Sequence, residues 1–526
     1  MSQIEEILKL PTIYERIEKL KQGRGYRREP NTAENRSDWL IERHEIMDKV
    51  KHPDREIVTE KAREVYNQKT GKKYTLDEKK EKLHTNRIAL PIEQDIVNIQ
   101  TAFTVGTEPK ILCDAQDDGE RAMLSALKFT LKKNRCKYTN KKIVRSWLAE
   151  QEVAEYWYTV PDSDNLWSKF VKKVKSFFSM TKPSTRLRCD IWSPFRGDTL
   201  YPYFEDENLT GLLRCYRKKK QTLQAEYEWR NCYTLVTQDK VYQWEQDPTT
   251  ASGYSEKVFN HGFSKLPIIY MWRPEAYCHS IKKMRERIEL TLSAYADCVD
   301  YHFFPYLVLM GDVKNVSGRL KNHVIEMHGQ GASASYLTWN QVPETVKFEV
   351  ETYLEQIYSM KNTPRISFEN LKGSQAPSGQ SWHFYFMGAE MAVRNHEEEV
   401  GEFLQRRLNF LITALGEINP SLKAASETID VETEIVPYAI DDLSGRIQTA
   451  VAAKTNRIWS NRHAMAFVGN VDRIDEEMKE IMDEFRSDNQ MEVDKAVAIS
   501  QGQAKAQEAQ QEGEKPQLSP TPYHLK

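Results

Sequence analysis

The sequence predicts an α+β, helix-rich fold, and three observations carry that reading. Apolar residues recur at helical spacing through much of the chain, as in Ile92, Ile96, Val97, Ile99 and Phe103. From 186 to 270 the pattern changes to short alternating runs. Cys232 to Val236 and Lys240 to Trp244 flank a Gln-Asp turn, which reads as an antiparallel meander. A Gly/Ser/Pro-rich loop, Leu371 to Ser381, lies between two helices. The second of these, 383–416, would be about 50 Å long at 1.5 Å per residue.

Taken in order, residues 1–85 read as helical and strongly charged. Ile4, Ile7, Leu8, Ile13, Ile17 and Leu20 sit near helical spacing, with Pro11 interrupting. The helix that begins near Ile92 meets a C-cap at Gly106 and a stop at Pro109. More helix fills 120–160 and ends in a strand-like run. Between Trp167 and Lys182, Trp167, Phe170, Val174 and Phe177 share one helical face and Lys169, Lys172, Lys173 and Lys175 the other. That pattern can make a membrane-surface or nucleic-acid helix; the plainer reading, and the favoured one, is a small insertion packed on the body with a solvated basic face. Over 273–303 a long helix carries Ile281, Met284, Ile288, Leu292, Tyr295 and Val299, stepping as in a coiled-coil seam. It ends before Phe304-Pro305. Residues 306–341 read as a strand, a turn, a second run and a Gly-rich loop. A helix over 343–361 presents Val346, Val350, Leu354 and Ile357, and an Asn-Thr-Pro at 362–364 stops it. Beyond the long helix come a strand at 431–440 and helices near 442–457, 461–468 and 472–487. Residues 491–526, rich in Gln, Ala, Glu, Lys and Pro, are expected to be a disordered tail.

Composition narrows the function. With 75 basic and 77 acidic residues, net charge −2, the chain lacks the cationic excess of a tight, sequence-independent DNA binder. A weak, sliding contact with DNA is compatible with that balance. No apolar run approaches a membrane span, and the start lacks a signal-peptide pattern. The seven cysteines are odd in number and contain no CxxC, so they read as reduced thiols.

No catalytic constellation emerges, and no metal or cofactor is expected. There is no GxxxxGK[ST] phosphate cradle. Gly331 to Ser335 misses the last glycine of a nucleophile elbow. His396-Glu397 lacks the second His of HExxH, because position 400 is Val. Asp297, Asp300 and His302 can share a helical face as metal ligands or as solvated stem positions. The basic run Tyr216 to Lys220 fits a nucleic-acid contact or a solvated loop. The chain offers no site of its own for spending nucleotide energy.

The order of these features resembles the siphophage-type portal family of tailed bacteriophages over about 90–490. Asn86 to Leu112 is similar to the family's early helix and its Gly-Pro exit. Leu200 to Glu207 with Leu213 to Arg217 resembles the strand pair before the meander. His261 to Ile269 resembles the lead-in to the stem, with one extra residue between its Gly and Pro. Thr363 to Gly379 resembles the tunnel-loop segment. The insertion near 162–185 and the charged first 85 residues depart from the compact pattern.

The resemblance implies a portal fold, with a wing at 1–270, a stem helix at 271–305 and a small α/β clip at 306–342. It further implies a second stem helix at 343–362, a tunnel-loop segment at 363–382, a long helix returning to the wing at 383–440 and a helical crown at 441–490. It implies a ring, typically of twelve subunits, at the capsid portal vertex of the virion, assembled in the host cytoplasm. Partners implied are double-stranded phage DNA, the terminase large subunit, head-completion and connector proteins, and major capsid and scaffolding proteins, with no membrane. DNA contact falls to the tunnel loop at Leu371, Lys372, Gly373, Ser374 and Gln375. Lys372 either faces the bore or points to an acidic residue of a neighbouring subunit. Lys282, Lys283, Arg285 and Arg287 either line the channel or pair with Glu286 and Glu289. Competing readings are another head–tail connector or minor capsid protein, or a nucleic-acid-processing enzyme whose pocket draws on distant residues.

Overall fold

The computed structural model describes residues 3–60, 63–67, 72–76, 79–161, 185–221, 227–302, 306–316, 325–337, 343–365, 379–437, 443–469 and 474–512. They fall into two compact units, 1–376 with 383–439, and 377–382 with 440–526.

The first unit is built on a meander. Thr199–Glu205, Asn208–Gln221, Tyr227–Thr237, Lys240–Gln246 and Tyr254–Asn260 pair in sequence order into one antiparallel five-stranded sheet. The two-residue period of a strand sorts its faces. Leu213, opposite Leu235, turns with Tyr203, Tyr233 and Trp244 toward the N-terminal helices Gln3–Leu8 and Ile13–Leu20. There they bury Ile4, Ile7, Ile17 and Leu20, the residues the helical spacing singled out. Leu212, opposite Val236, turns the other way with Val241. It packs against Ala154, Trp192, Ile268 and Tyr270 of a three-stranded sheet, Ile268–Trp272, Glu152–Pro161 and Thr185–Trp192. Each aliphatic side chain buried this way contributes about 1.5–3 kcal/mol.

Two buried carboxylates fasten the layers. Glu152 and Glu155 lie three residues apart on the middle strand, hence on opposite faces. Arg24 meets Glu152 at 2.5 Å, and the Tyr270 hydroxyl donates to the same carboxylate at 2.8 Å. On the other face Arg407, from the long helix Gly379–Ile418, meets Glu155 at 2.7 Å and donates to Asn140 at 2.6 Å. Paired and hydrogen-bonded, these charges tolerate burial; alone they would not.

Several expectations are revised. Residues 1–85 are not helical throughout. Arg55–Glu60 pairs with Lys79–Leu83, and Arg63–Asn67 with Lys72–Leu76. The charge of this stretch masks runs such as Ile57-Val58-Thr59 and Val65-Tyr66, which favour strands. In the stretch expected as a small α/β clip, Tyr306–Val316 and Ile325–Leu337 form an antiparallel hairpin, and no helix occurs among the described residues of 306–342. The Gly-rich stretch 329–333, expected as a loop, lies inside its second strand. The strand expected at 431–440 is short, Glu432–Glu434, and pairs with Lys110–Leu112. The insertion, 162–184, lies outside the described residues, between strand ends that pair at Pro161 and Thr185. The second unit carries helices Leu443–Thr455, Asn461–Val468 and Ile474–Glu512. The last continues past residue 490 as locally helical chain, Ala, Gln, Glu and Lys being good helix formers, in keeping with a tail outside the packed fold. Its side chains from Met491 to Ser500 are all exposed, so no tertiary packing holds that stretch.

Candidate functional site: the stem and the anchors of the tunnel-loop segment

The helix expected as the first of the stem spans Lys282–His302, and the one expected as the second spans Pro343–Met360. The expected apolar seam is only partly the buried one. Ile281 and Ile288 are buried, Met284, Leu292 and Tyr295 half-buried, and Val299 is 38% exposed. A polar stripe at four-residue intervals, Arg285, Glu289, Ser293 and Asp297, is buried more deeply.

That stripe holds an extended strap, residues 86–90. The backbone N–H of Asn86 donates to Asp297 Oδ1 at 2.7 Å. The N–H of Ile88 donates to Ser293 Oγ at 2.9 Å, and that of Leu90 to Glu289 Oε1 at 2.8 Å. The register follows from geometry. Two residues of extended chain rise about 6.6 Å, and four helical residues about 6 Å. Alternate N–H groups of the strap therefore meet successive turns of the helix. An extended segment without a partner strand needs acceptors, and here the stem supplies them. His44 Nδ1 also lies 2.6 Å from Glu289 Oε1, inside the subunit.

The four stem cations separate. Arg285 is 1% exposed and lies between Asp38, 3.1 Å, and Glu93, 3.2 Å. It cannot line an open channel, which corrects that part of the sequence reading. Burial of a guanidinium is tolerated because carboxylates surround it. Lys282 is held by Glu34 at 2.7 Å and Asp38 at 3.2 Å. Lys283 and Arg287 remain outward, with side chains 85% and 53% exposed, paired to Glu286 at 2.7 Å and to Glu349 of the second stem helix at 2.9 Å. Burial pushes the Glu93 carboxyl up to about 7, against the pull of Arg285.

The tunnel-loop residues Leu371, Lys372, Gly373, Ser374 and Gln375 lie outside the described residues. The chain on either side of that segment is firmly anchored. The second stem helix stops before Asn362, which takes φ 47°, a left-handed conformation that asparagine tolerates. The buried Gln100, on the early helix Ile92–Val105, donates its amide to Thr363 Oγ1 at 2.7 Å and to the carbonyls of Lys361 and Asn362. The hydroxyl of Tyr358 donates to Asp95 on the same helix at 2.5 Å. On the far side Tyr385 donates to the Arg365 carbonyl at 2.6 Å, and Phe386 packs on Phe103 at 5.4 Å.

Candidate chemistry dissolves on inspection of the neighbours. His396 lies between the rings of Trp147, 5.5 Å, and Tyr277, 5.3 Å; burial and then Arg273 lower its pKa to about 3. Asp297 and Asp300 bind the strap residue Asn86. Glu34, Asp38 and His279 approach one another closely enough for a cation, and the Lys282 ammonium already meets both carboxylates. In the basic run, Lys220 pairs with Glu245 at 3.0 Å, and Lys219 lies over Trp229 at 5.2 Å; the run is strand, not loop.

A family profile described as "Phage portal protein, SPP1 Gp6-like" matches residues 44–491. The chain belongs to the phage portal proteins. Portal proteins are in general structural rather than enzymatic, and this one is a virion component of the phage capsid, at the portal vertex. One similar solved chain belongs to the "Virion of native gene transfer agent (GTA) particle". It is 10% identical with a TM-score of 0.33, covering 72% of this chain and 90% of that one. No curated protein matches. Among the described residues no helix is long and apolar enough to cross a membrane.

The sequence predicted the two helices now seen at Lys282–His302 and Pro343–Met360 but not the strap or the role of Gln100. One signal was present: Arg285, Glu289, Ser293 and Asp297 form a polar row at helical spacing beside the apolar one. A lone Gln on an amphipathic helix gives no such signal.

Proposed function

We propose that this portal protein forms a closed ring, of twelve subunits in the virion, that conducts double-stranded DNA into and out of the capsid without catalysing a reaction. The observation that carries the proposal is the family match over 44–491, joined to the contacts of Gln100 with Thr363 and of Tyr385 with Arg365 that fix the chain before and after the tunnel-loop segment. In this reading 1–270 is the wing, 271–305 and 343–362 the stem, 306–342 the clip, 363–382 the tunnel-loop segment, 383–440 the return to the wing and 441–490 the crown. The clip hairpin docks the terminase motor and later the head-completion and connector proteins. Scaffolding and major capsid proteins meet the outer surface.

Lys372 is the only charged side chain between Leu371 and Ser381. We assign it a transient grip on phosphate, weak and blind to sequence. The exposed Lys283 and Arg287 are the stem cations available to the bore or to a neighbouring subunit.

Particle mass by mass photometry, followed by class averages from electron microscopy, tests the ring. Rings of about twelve or thirteen subunits with a central hole are expected, and a chain that stays monomeric with its scaffolding protein present contradicts the proposal. Lys372→Ala should assemble normally and package less DNA. Normal genome filling by that variant removes Lys372 from the mechanism.

A further inference from the structure

The second unit has almost no core of its own. Among its described side chains only Ala450 and Ala464 are buried, at 5% and 8% exposure. Its larger apolar residues point outward on two different helices: Ile447 and Val451, 44% and 57% exposed, on Leu443–Thr455, and Met482 and Phe485, 57% and 68%, on Ile474–Glu512.

Local signals nevertheless specify the helices. Ser460 caps Asn461–Val468 by accepting the N–H of His463 at 3.2 Å, and Gly469 closes that helix at φ 74°. Helices of 13 and 8 residues are marginal in water without a packed face. Large apolar side chains left exposed on short helices are surface that a partner can cover.

Charge indicates what covers it. Between Leu443 and Val468 stand Arg446, Lys454, Arg457 and Arg462 and no acidic residue. Between Ile474 and Ser500 stand nine acidic residues and three basic ones. The first two helices of the unit are thus basic, with Ile447 and Val451 exposed, and the third is acidic, with Met482 and Phe485 exposed. Two complementary, non-identical faces on one subunit are what head-to-tail closure of a ring requires.

We infer that the basic face, around Ile447 and Val451, docks the acidic face, around Met482 and Phe485, of a second copy of this chain, and that residues 443–485 reach their stable packed state only on ring closure. The inference rests on the ring reading above.

Hydrogen exchange with mass spectrometry on the full-length protein tests it, comparing monomers and rings separated by size. Amides of 443–485 should exchange at least about tenfold slower in rings, while those of the meander are protected in both. Phe485→Asp should lose the crown protection and leave the meander unchanged, since Phe485 is exposed in the single chain. Lys454→Glu should weaken crown protection in the same direction. Equal protection of 443–485 in monomers and rings overturns the inference, because the unit would then carry its own core. Rings whose crown amides exchange freely, or become protected only when scaffolding or capsid protein is added, also overturn it. A chain that never forms rings instead overturns the ring reading, which particle mass reports separately.

Discussion

Removing the Glu289 carboxylate should release the strap from the stem. Glu289 is fully buried, and its Oε1 accepts from the Leu90 N–H at 2.8 Å and meets His44 Nδ1 at 2.6 Å. Glu289→Ala leaves both donors without their acceptor. Each orphaned buried donor costs about 1–3 kcal/mol, and Glu289→Ala orphans two that share one acceptor. The effects overlap, so the expected loss is on the order of 2–4 kcal/mol. At 1.4 kcal/mol per factor of ten, the open population of the strap rises at least about 25-fold. Arg87 provides the readout. Its side chain is 6% exposed and held by Asp54 at 2.7 Å and by the His52 carbonyl. Trypsin reaches it only when the strap opens, so cleavage after Arg87 should accelerate by that factor. Glu289→Gln keeps an acceptor for Leu90 and should accelerate it less. Wild-type cleavage after Arg87 in a folded Glu289→Ala protein would refute the assignment of the strap's hold to the stem.

Further outcomes follow from the same region. Ile288 is fully buried in the stem, so Ile288→Asp places an unpaired charge there and should lower yield and ring formation; unchanged rings by mass photometry would mean that this helix face does not bear packing. For Glu93, the folded carboxyl holds its proton up to about pH 7, while the unfolded one releases it near 4.5. Folded stability therefore falls as pH rises through that window, and Glu93→Gln should flatten the fall by about 1–3 kcal/mol between pH 5 and 8. Urea midpoints at both pH values check this, and parallel profiles for wild type and variant would contradict it.

Legibility varied with the physical origin of each feature. The meander was readable because Leu212/Leu213 and Leu235/Val236 alternate between two apolar environments. The strands over 55–83 were hidden, since their charged residues carry no period that burial would impose. Arg285 shows the limit for the site. A row of cations on a helix says that charge is present, not which side meets carboxylates from elsewhere in the chain. Asp38 and Glu93, which bury Arg285, lie more than 190 residues away in sequence.

By itself the sequence determined what depends on neighbours in the chain. That comprises the helical and alternating periods, the stop at Asn362 to Pro364 and the order of elements that resembles portal proteins. Only the tertiary structure decided which groups meet: the strap on Glu289, Ser293 and Asp297, Gln100 on the end of the stem, and the separation of buried Arg285 from outward Lys283 and Arg287. The reason is that helix and strand periods are imposed by local backbone geometry. A hydrogen bond or ion pair between distant residues leaves no period in the sequence, and forms only where the fold brings donor and acceptor within about 3 Å.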